Sequence, residues 1–310
     1  MINQCTNPFK GIGEYGAYYV PPPADVIRVQ KGHQLLSVVR TDHILYNRDE
    51  QYAVMLGAWL DFWDTTNSNP DDREIHGEGD LLWAPEVQYP HTAINWIGDR
   101  ALLGWFSEKY SVPWYTADPE GPKEFIELLQ QGFEPDAIMY YLTLRHVVQY
   151  HRSLYEQRNA NYNIRLHMQG VLQKFIDRYQ GIDNWRHFSF EAAHRKFFGD
   201  SAKNDMYDPF FATEQTASFY LTDTAIQQVA VAWSIERNNF FMTTLADRLA
   251  KGKSLFAARG WQHGYVLEDK IRALGDSSSI EQPYASLTYH RHFTHARQNC
   301  DLLRKLGPLN

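Results

Sequence analysis

Residues 35–43 read LLSVVRTDH, a compact apolar run, LLSVV, followed by a polar turn, RTDH. The same arrangement recurs at residues 254–263, SLFAARGWQH, and a helical pattern follows each turn. A short apolar run bounded by turn signals is typical of a strand that is buried on both faces of a sheet. Ligands of open α/β sheets bind beyond the carboxyl ends of the strands. We therefore expect His43 and His263, which end the two turns, to lie at one edge of the same sheet.

The composition is that of a folded protein with a substantial core. The chain has 310 residues, of which 44% are hydrophobic and 15% aromatic, enough for one large α/β domain or two smaller ones. The formal net charge is −7 and no cluster of Lys and Arg stands out, so nucleic acid is not an expected partner. Cys5 and Cys300 are the only cysteines and have no Cys-x-x-Cys spacing, which indicates neither a disulfide framework nor a thiolate zinc site.

The sequence carries no pattern typical of a leader or a membrane span. Residues 1–10 lack a basic segment followed by an apolar one. No run approaches the ~20 apolar residues that a transmembrane helix needs. We therefore expect a cytoplasmic protein without a membrane partner, whereas the oligomeric state is unknown from the sequence.

Strand and helix patterns alternate at both ends of the chain. Besides the two strands already described, the predicted elements are a helix from residue 47 or 49 to 63, a strand from 73 to 77 or 78, a helix at 89–110, a strand at 114–116, a helix at 223–249 and a helix at 266–274. This alternation predicts an α/β fold whose sheet is mainly parallel and partly duplicated, with helices on both faces.

The middle of the chain has a different pattern, with little strand signal. Its predicted helices are residues 122–131, 135–155, 164–179 and 190–198. We interpret residues 122–220 as an inserted helical cap between a first α/β half, residues 1–121, and a second α/β half with a C-terminal tail, residues 221–310. In the tail we expect a loop at 275–279 and an edge strand at 285–293.

His43, Glu78 and His263 are the candidate site residues, each predicted to follow a strand at one edge of the sheet, with Asp42 and Asp80 beside the first two. Two neutral imidazoles and a carboxylate suit a divalent ion such as Mn, Co or Zn, whose bound water becomes a nucleophile near neutral pH. Without a metal, the same groups serve as general base and acid. Taken singly, each histidine is better explained as a hydrogen-bonded turn residue, but the two matched turns and the acidic turn together favour a functional site.

Arg237 lies on the apolar side of the predicted helix at 223–249. A guanidinium in that position needs a carboxylate or an anionic ligand to offset its desolvation. Glu78 or a substrate carboxylate is the expected partner. A side chain that reaches the helix edge, or that pairs with a structural acid, explains the residue equally well.

A second group of histidines occurs near the C-terminus. His290 and His292 would share one face of a strand, and His295 follows them. Without a nearby carboxylate or cysteine this is a weak metal signal, and a solvated edge strand is the better explanation.

Four short motifs in the C-terminal part of the chain carry a resemblance to known proteins. They are ERNN at residues 236–239, KGKSLF at 251–256, GWQH at 260–263 and RAL at 272–274. This pattern resembles the signature of the Tiki and TraB-like superfamily, which includes erythromycin-esterase-like and ChaN-like proteins and has two G-x-x-H turns with a glutamate between them. His263 matches the second turn, Glu78 matches the glutamate, and His43 matches the first turn with Arg40 in place of the glycine.

The resemblance covers residues 35–118 and 223–274. It implies hydrolysis of an ester, lactone or amide, in a small-molecule or peptide substrate, by water activated at His43, Glu78 and His263. It also gives Arg237 the role of holding Glu78 or a substrate anion. Members include metal-dependent peptidases, hydrolases of macrolide lactones, a haem-binding lipoprotein and toxin domains, so the fold does not settle the substrate. The alternative is a protein that holds a ligand or haem with the same histidines and catalyses nothing.

Overall fold

The computed structural model describes residues 25–41, 49–67, 70–78, 99–119, 122–157, 163–179, 181–182, 188–200, 205–216 and 222–281. These residues form two compact units. The helical unit contains the described residues from Pro119 to Arg237, and the sheet unit contains those up to Asp118 together with those from Asn238 onward. The predicted helical insertion, residues 122–220, falls within the helical unit.

The helices of the described residues follow the apolar patterns in the sequence. In chain order they are α1 (Asp49–Thr65), α2 (Asp99–Tyr110), α3 (Lys123–Gln130), α4 (Pro135–Gln157), α5 (Ile164–Tyr179), α6 (Phe190–Phe198), α7 (Pro209–Thr216), α8 (Ala225–Ala250), α9 (Trp261–Val266) and α10 (Glu268–Arg272). Of these, α7 is absent from the sequence predictions, and α9 occupies residues 261–263 of the turn predicted at 260–263. None of the helices in the described part of the chain combines the length and hydropathy of a membrane-spanning segment.

The sheet unit is built on a six-stranded sheet. Its strands in chain order are β1 (Asp25–Lys31), β2 (Gln34–Thr41), β3 (Arg73–Gly77), β4 (Trp114–Thr116), β5 (Ser254–Gly260) and β6 (Ser277–Glu281). Their order in space is β4-β3-β5-β2-β1-β6. The three pairings from β4 to β2 are parallel, and the two that join β2, β1 and β6 are antiparallel. The predicted α/β fold with a mainly parallel sheet is confirmed.

Helices pack on both faces of this sheet, as predicted, because successive side chains of a strand point to opposite faces. On one face, Phe256 of β5 contacts Trp59 of α1, and the ring of Trp59 stacks on that of Phe106 of α2 with centroids 4.8 Å apart. On the other face, Leu255 belongs to a cluster with Phe241 of α8. The central strand β5 is therefore covered on both sides.

Capping residues mark both ends of α6 in the helical unit. The Ser189 hydroxyl accepts a hydrogen bond from the Ala192 backbone N–H at 3.2 Å and caps the N-terminus of α6. The same helix ends at Gly199, whose φ of 75° favours glycine. In the core of the unit, the Tyr140 hydroxyl hydrogen-bonds His194 Nδ1 at 2.7 Å.

The structure corrects three predictions in the sheet unit. The loop predicted at 275–279 is wrong, because β6 begins at Ser277 and pairs antiparallel with β1, and backbone pairing makes a strand of a polar sequence. The turn predicted to start at Arg40 is also wrong, because β2 continues through Thr41, which pairs with Gly260 of β5. The single helix predicted at 266–274 is replaced by α9 and α10. The edge strand predicted at 285–293 lies outside the described residues.

Arg40 at the end of β2 is 2% exposed. Its guanidinium makes two hydrogen bonds with the Asp25 carboxylate, donates to Glu268 Oε2 at 2.8 Å and lies 4.3 Å from the centre of the Tyr265 ring. Burial acts to lower the pKa of Arg40, but the charge of Asp25 and these hydrogen bonds raise it above its ordinary value. Tyr265 belongs to α9, Glu268 to α10 and Asp25 to β1. The contacts of Arg40 therefore hold α9 and α10 against β1 and β2.

Gly264→Ala is expected to lower the free energy of unfolding by about 1–3 kcal/mol. An added Cβ would lie 2.6 Å from both Cγ and Cδ of Arg40, which two carboxylates hold in place. Urea denaturation measures the change. Gly57→Ala in α1 is the control, because a Cβ there meets nothing within 4 Å and helical alanine stabilises by up to about 1 kcal/mol. Equal stability of the two variants would contradict a fixed position for Arg40.

Candidate active site

Glu78 and the 260–263 turn come together at the carboxyl edge of the sheet. Glu78 directly follows β3, and Gly260 ends the neighbouring strand β5. The Glu78 carboxylate accepts a hydrogen bond from the Gly260 backbone N–H at 2.7 Å, and both residues are buried. This bond joins two parts of the predicted site that are 182 residues apart in sequence.

His263 lies in α9, three residues after Gly260, and is 8% exposed. Its Nδ1 is 2.8 Å from Oδ1 of Asn238, a completely buried residue of α8. An amide oxygen only accepts hydrogen bonds, so in this arrangement Nδ1 carries a hydrogen. The imidazole is thereby held by a neutral side chain from another helix.

Arg259 is the guanidinium that lies beside Glu78. It is fully buried, its Nε is 3.2 Å from Glu78 Oε1, and its Nη1 donates to Asp118 Oδ1 at 3.0 Å. Its guanidinium also lies 4.8 Å from the centre of the Phe241 ring. The sequence prediction missed Arg259. The signal that could have found it is its place at the end of an apolar strand, where a buried cation needs carboxylate partners.

The end of β2 contributes a further polar contact at the same edge of the sheet. The Thr41 hydroxyl donates to Asp99 Oδ2 at 2.6 Å, and Asp99 Oδ1 accepts from the Arg100 backbone N–H at 2.9 Å. Asp99 is the first residue of α2, where a negative charge is favoured by the helix dipole. The three adjacent parallel strands β3, β5 and β2 therefore all end in buried polar groups.

Arg237 lies in the helical unit, on α8, and is 8% exposed. Burial raises the pKa of Tyr141 in the same unit, and the positive charges of Arg145 and Arg237 act in the opposite direction. The predicted role of Arg237 toward Glu78 or a substrate anion stays a prediction. The next residue along α8, Asn238, belongs to the sheet unit and makes the contact with His263.

His43, the third predicted site residue, lies outside the described residues, as do Asp42, Asp80 and the histidines at 290, 292 and 295. Within the described ranges, no group of three or more His, Cys, Asp or Glu side chains is placed to hold a metal ion. Glu78 and His263 are donor types that bind Mn, Co or Zn, but two donors do not complete a site. The described residues therefore do not by themselves fit a metal centre, and metal or haem binding stays a prediction from the sequence.

A separate charged cluster lies on β3, before the carboxyl edge. Arg248 of α8 donates to the buried Glu74 carboxylate from Nε at 2.6 Å and from Nη2, and His76 Nε2 is 3.2 Å from the same carboxylate. Burial acts to raise the pKa of Glu74, but the hydrogen bonds with His76 and Arg248 lower it to about 2. His76 also stacks on Tyr115 at 5.4 Å. We interpret this cluster as structural.

The comparisons with known proteins give no relative for this chain. No protein-family model, no curated protein and no solved structure matches it. The candidate site therefore rests on its own geometry and on the sequence motifs.

Arg259→Met is expected to lower the free energy of unfolding by about 3–5 kcal/mol, because it leaves the carboxylates of Glu78 and Asp118 without the buried cation between them. Chemical denaturation measures the loss. Arg28→Met on β1 is the matched control, since Arg28 pairs with two well-exposed carboxylates and surface pairs contribute only about 0–1 kcal/mol. A loss no larger than that of Arg28→Met would contradict the proposed support of Glu78 by Arg259.

Glu74 should make stability depend on pH in acid. Its folded pKa, about 2, lies below the ordinary value of 4.5, so its contribution is complete above pH 4.5 and is lost as the pH falls toward 2. We expect the stability difference between wild type and Glu74→Gln to shrink between about pH 7 and about pH 3.5 in urea titrations. Asp247→Asn, at an exposed pair with Lys251, should show little such change. A difference that stays constant over this range would rule out the depressed pKa.

Proposed function

We propose that the chain is a hydrolase that cleaves an ester, a lactone or an amide, of the Tiki, TraB and erythromycin-esterase-like type. The observation that carries the proposal is the hydrogen bond from the Gly260 N–H to the Glu78 carboxylate. It supports a common site for the glutamate and the second G-x-x-H turn, which ends in His263. The two residues that it joins stand at the ends of neighbouring strands, at the edge of the sheet where α/β proteins bind ligands.

In the proposed reaction, Nε2 of His263 accepts a proton from a water molecule whose oxygen attacks the substrate carbonyl carbon. The tetrahedral intermediate then expels the alcohol or amine, and the imidazolium returns its proton to that leaving group. Glu78 orients the attacking water and offsets the positive charge that develops on His263. Its carboxylate is already fixed by Gly260 and Arg259, which supports this role because preorganised groups need no rearrangement during the reaction.

Other parts of the proposal rest on the sequence alone. His43 would complete the site from the first turn, together with a divalent ion if Mn, Co or Zn is bound. Arg237 would hold a substrate anion or Glu78. The expected substrate is a small molecule or a peptide, and the expected location is the cytoplasm.

The test is hydrolysis of ester, lactone and peptide panels by the purified protein, with and without added Mn²⁺ or Co²⁺. His263→Ala and Glu78→Gln should each lower kcat/KM about 10²–10⁴-fold, the usual contribution of a positioned acid or base. His33→Ala is the control, because His33 is an exposed residue between β1 and β2. It should leave the rate unchanged.

Two results would argue against the hydrolase. One is wild-type turnover that survives both His263→Ala and Glu78→Gln in folded protein. The other is a coloured preparation with a haem band and no turnover on any panel, which would favour the ligand-binding alternative.

Elemental analysis of wild type beside His43→Ala and His263→Ala separates metal-dependent from metal-free chemistry. Equal metal content in all three proteins would show that His43 and His263 do not bind a metal ion.

A further inference from the structure

Asn238 occupies a position that suits an apolar residue. It is completely buried on α8, and Phe241 and Leu245 follow it at three- and seven-residue spacing on the side of the helix that packs on the sheet. A primary amide in such a stripe loses its hydration and destabilises the fold unless a partner replaces the lost hydrogen bonds. The partner that the structure gives it is His263 Nδ1, at 2.8 Å.

We propose that Asn238 is a positioning residue that fixes His263 in the Nδ1–H tautomer and so makes Nε2 the nitrogen that accepts a proton. The catalytic meaning of this assignment rests on the proposed hydrolase function, but the assignment itself concerns only the resting protein. Nε2 is also the nitrogen that a metal ion would use, since a histidine that binds metal through one ring nitrogen commonly donates from the other.

An amide orients the ring without the charge that a carboxylate would bring. An aspartate at this position would also hold a hydrogen on Nδ1, but it would place a negative charge in the core beside the imidazole and would favour protonation of the ring. Asparagine orients the ring through the same oxygen without adding charge. Its remaining Nδ2 has no hydrogen-bond acceptor among the residues that the structure describes, so its contact with His263 is the one that explains a buried amide here.

The experiment is ¹⁵N NMR of the protein labelled at histidine, in which one-bond and two-bond couplings to the ring protons identify the protonated nitrogen of His263. The His263 signals are assigned as those lost in His263→Ala. We expect the Nδ1–H tautomer in wild type and a hydrogen on Nδ1 in Asn238→Asp, which keeps the accepting oxygen. Asn238→Leu should lose this preference. Asn239→Leu, at the next and less buried position of α8, is the matched control and should leave the tautomer unchanged.

Two results would overturn the assignment. One is a wild-type His263 protonated on Nε2, which would mean that the amide is reversed and donates from Nδ2 to a bare Nδ1. The other is an unchanged tautomer in folded Asn238→Leu. If Asn238→Leu does not fold, wild type and Asn238→Asp still decide, because a bare Nδ1 in either contradicts the proposal.

Kinetics provide the readout that depends on function. If a hydrolysed substrate is found, Asn238→Leu should lower kcat about 10–100-fold with little change in KM, and Asn238→Asp should restore part of the loss. A loss confined to KM would count against a positioning role. The NMR result does not require turnover, so an inactive protein with the Nδ1–H tautomer would refute the hydrolase and leave the orientation of His263 in place.

Discussion

The parallel pairing of β5 with β2 on one side and with β3 on the other determines where the candidate site lies. All seven residues of β5 are buried, and the strand exchanges backbone hydrogen bonds with both neighbours, so its register is fixed from two directions. A slip of one residue would turn Phe256 away from the aromatic cluster of α1 and α2 and place it on the α8 face. The same register sets Gly260 beside Thr41 and within reach of Glu78. The core packing and the site geometry therefore have a common cause.

Among the described residues of the sheet unit, Arg40, Arg73 and Arg259 are fully buried, and polar or aromatic partners offset the desolvation of each. Arg40 has two carboxylates and a tyrosine face, whereas Arg259 has two carboxylates and a phenylalanine face. Arg73 instead lies 3.7 Å from the centre of the Trp63 ring and donates to the Trp63 carbonyl and the Thr66 hydroxyl. Replacing a whole buried ion pair by apolar residues often changes the stability of a protein little, whereas removing one partner strongly destabilises it. They suit positions where geometry matters more than net stabilisation.

The sequence predicts the parts of this structure that carry their own local signal. Apolar runs predict β2 and β5, short segments beside helical patterns predict β3 and β4, and helical spacing predicts most helices. In contrast, the sequence prediction lacks β6 because this strand is polar and pairs with a strand some 250 residues away, which no local pattern reveals. It also lacks β1, although Val26, Ile27 and Val29 and the short turn to β2 are a local signal. The same reason hides Arg259 and Asn238, whose roles come from contacts with residues 141 and 25 positions away. Turn motifs mark Glu78 and His263 in the sequence, but their role as site residues stays a prediction, and His43 lies outside the described residues.

The charges around Glu78 limit what the edge of the sheet can bind. Arg259 carries one formal positive charge and contacts two carboxylates, Glu78 and Asp118, so this group of three is formally negative. Both carboxylates lie close to the Arg259 guanidinium, whose Nη1 donates to Asp118, whereas its Nε and Nη2 have no hydrogen-bond acceptor among the described residues. In the proposed hydrolysis, a formally negative group would stabilise an imidazole that becomes positive when it takes a proton from water. The two carboxylate contacts therefore give Arg259 a part in holding Glu78, and the role of binding a substrate anion is the one that the sequence predicts for Arg237.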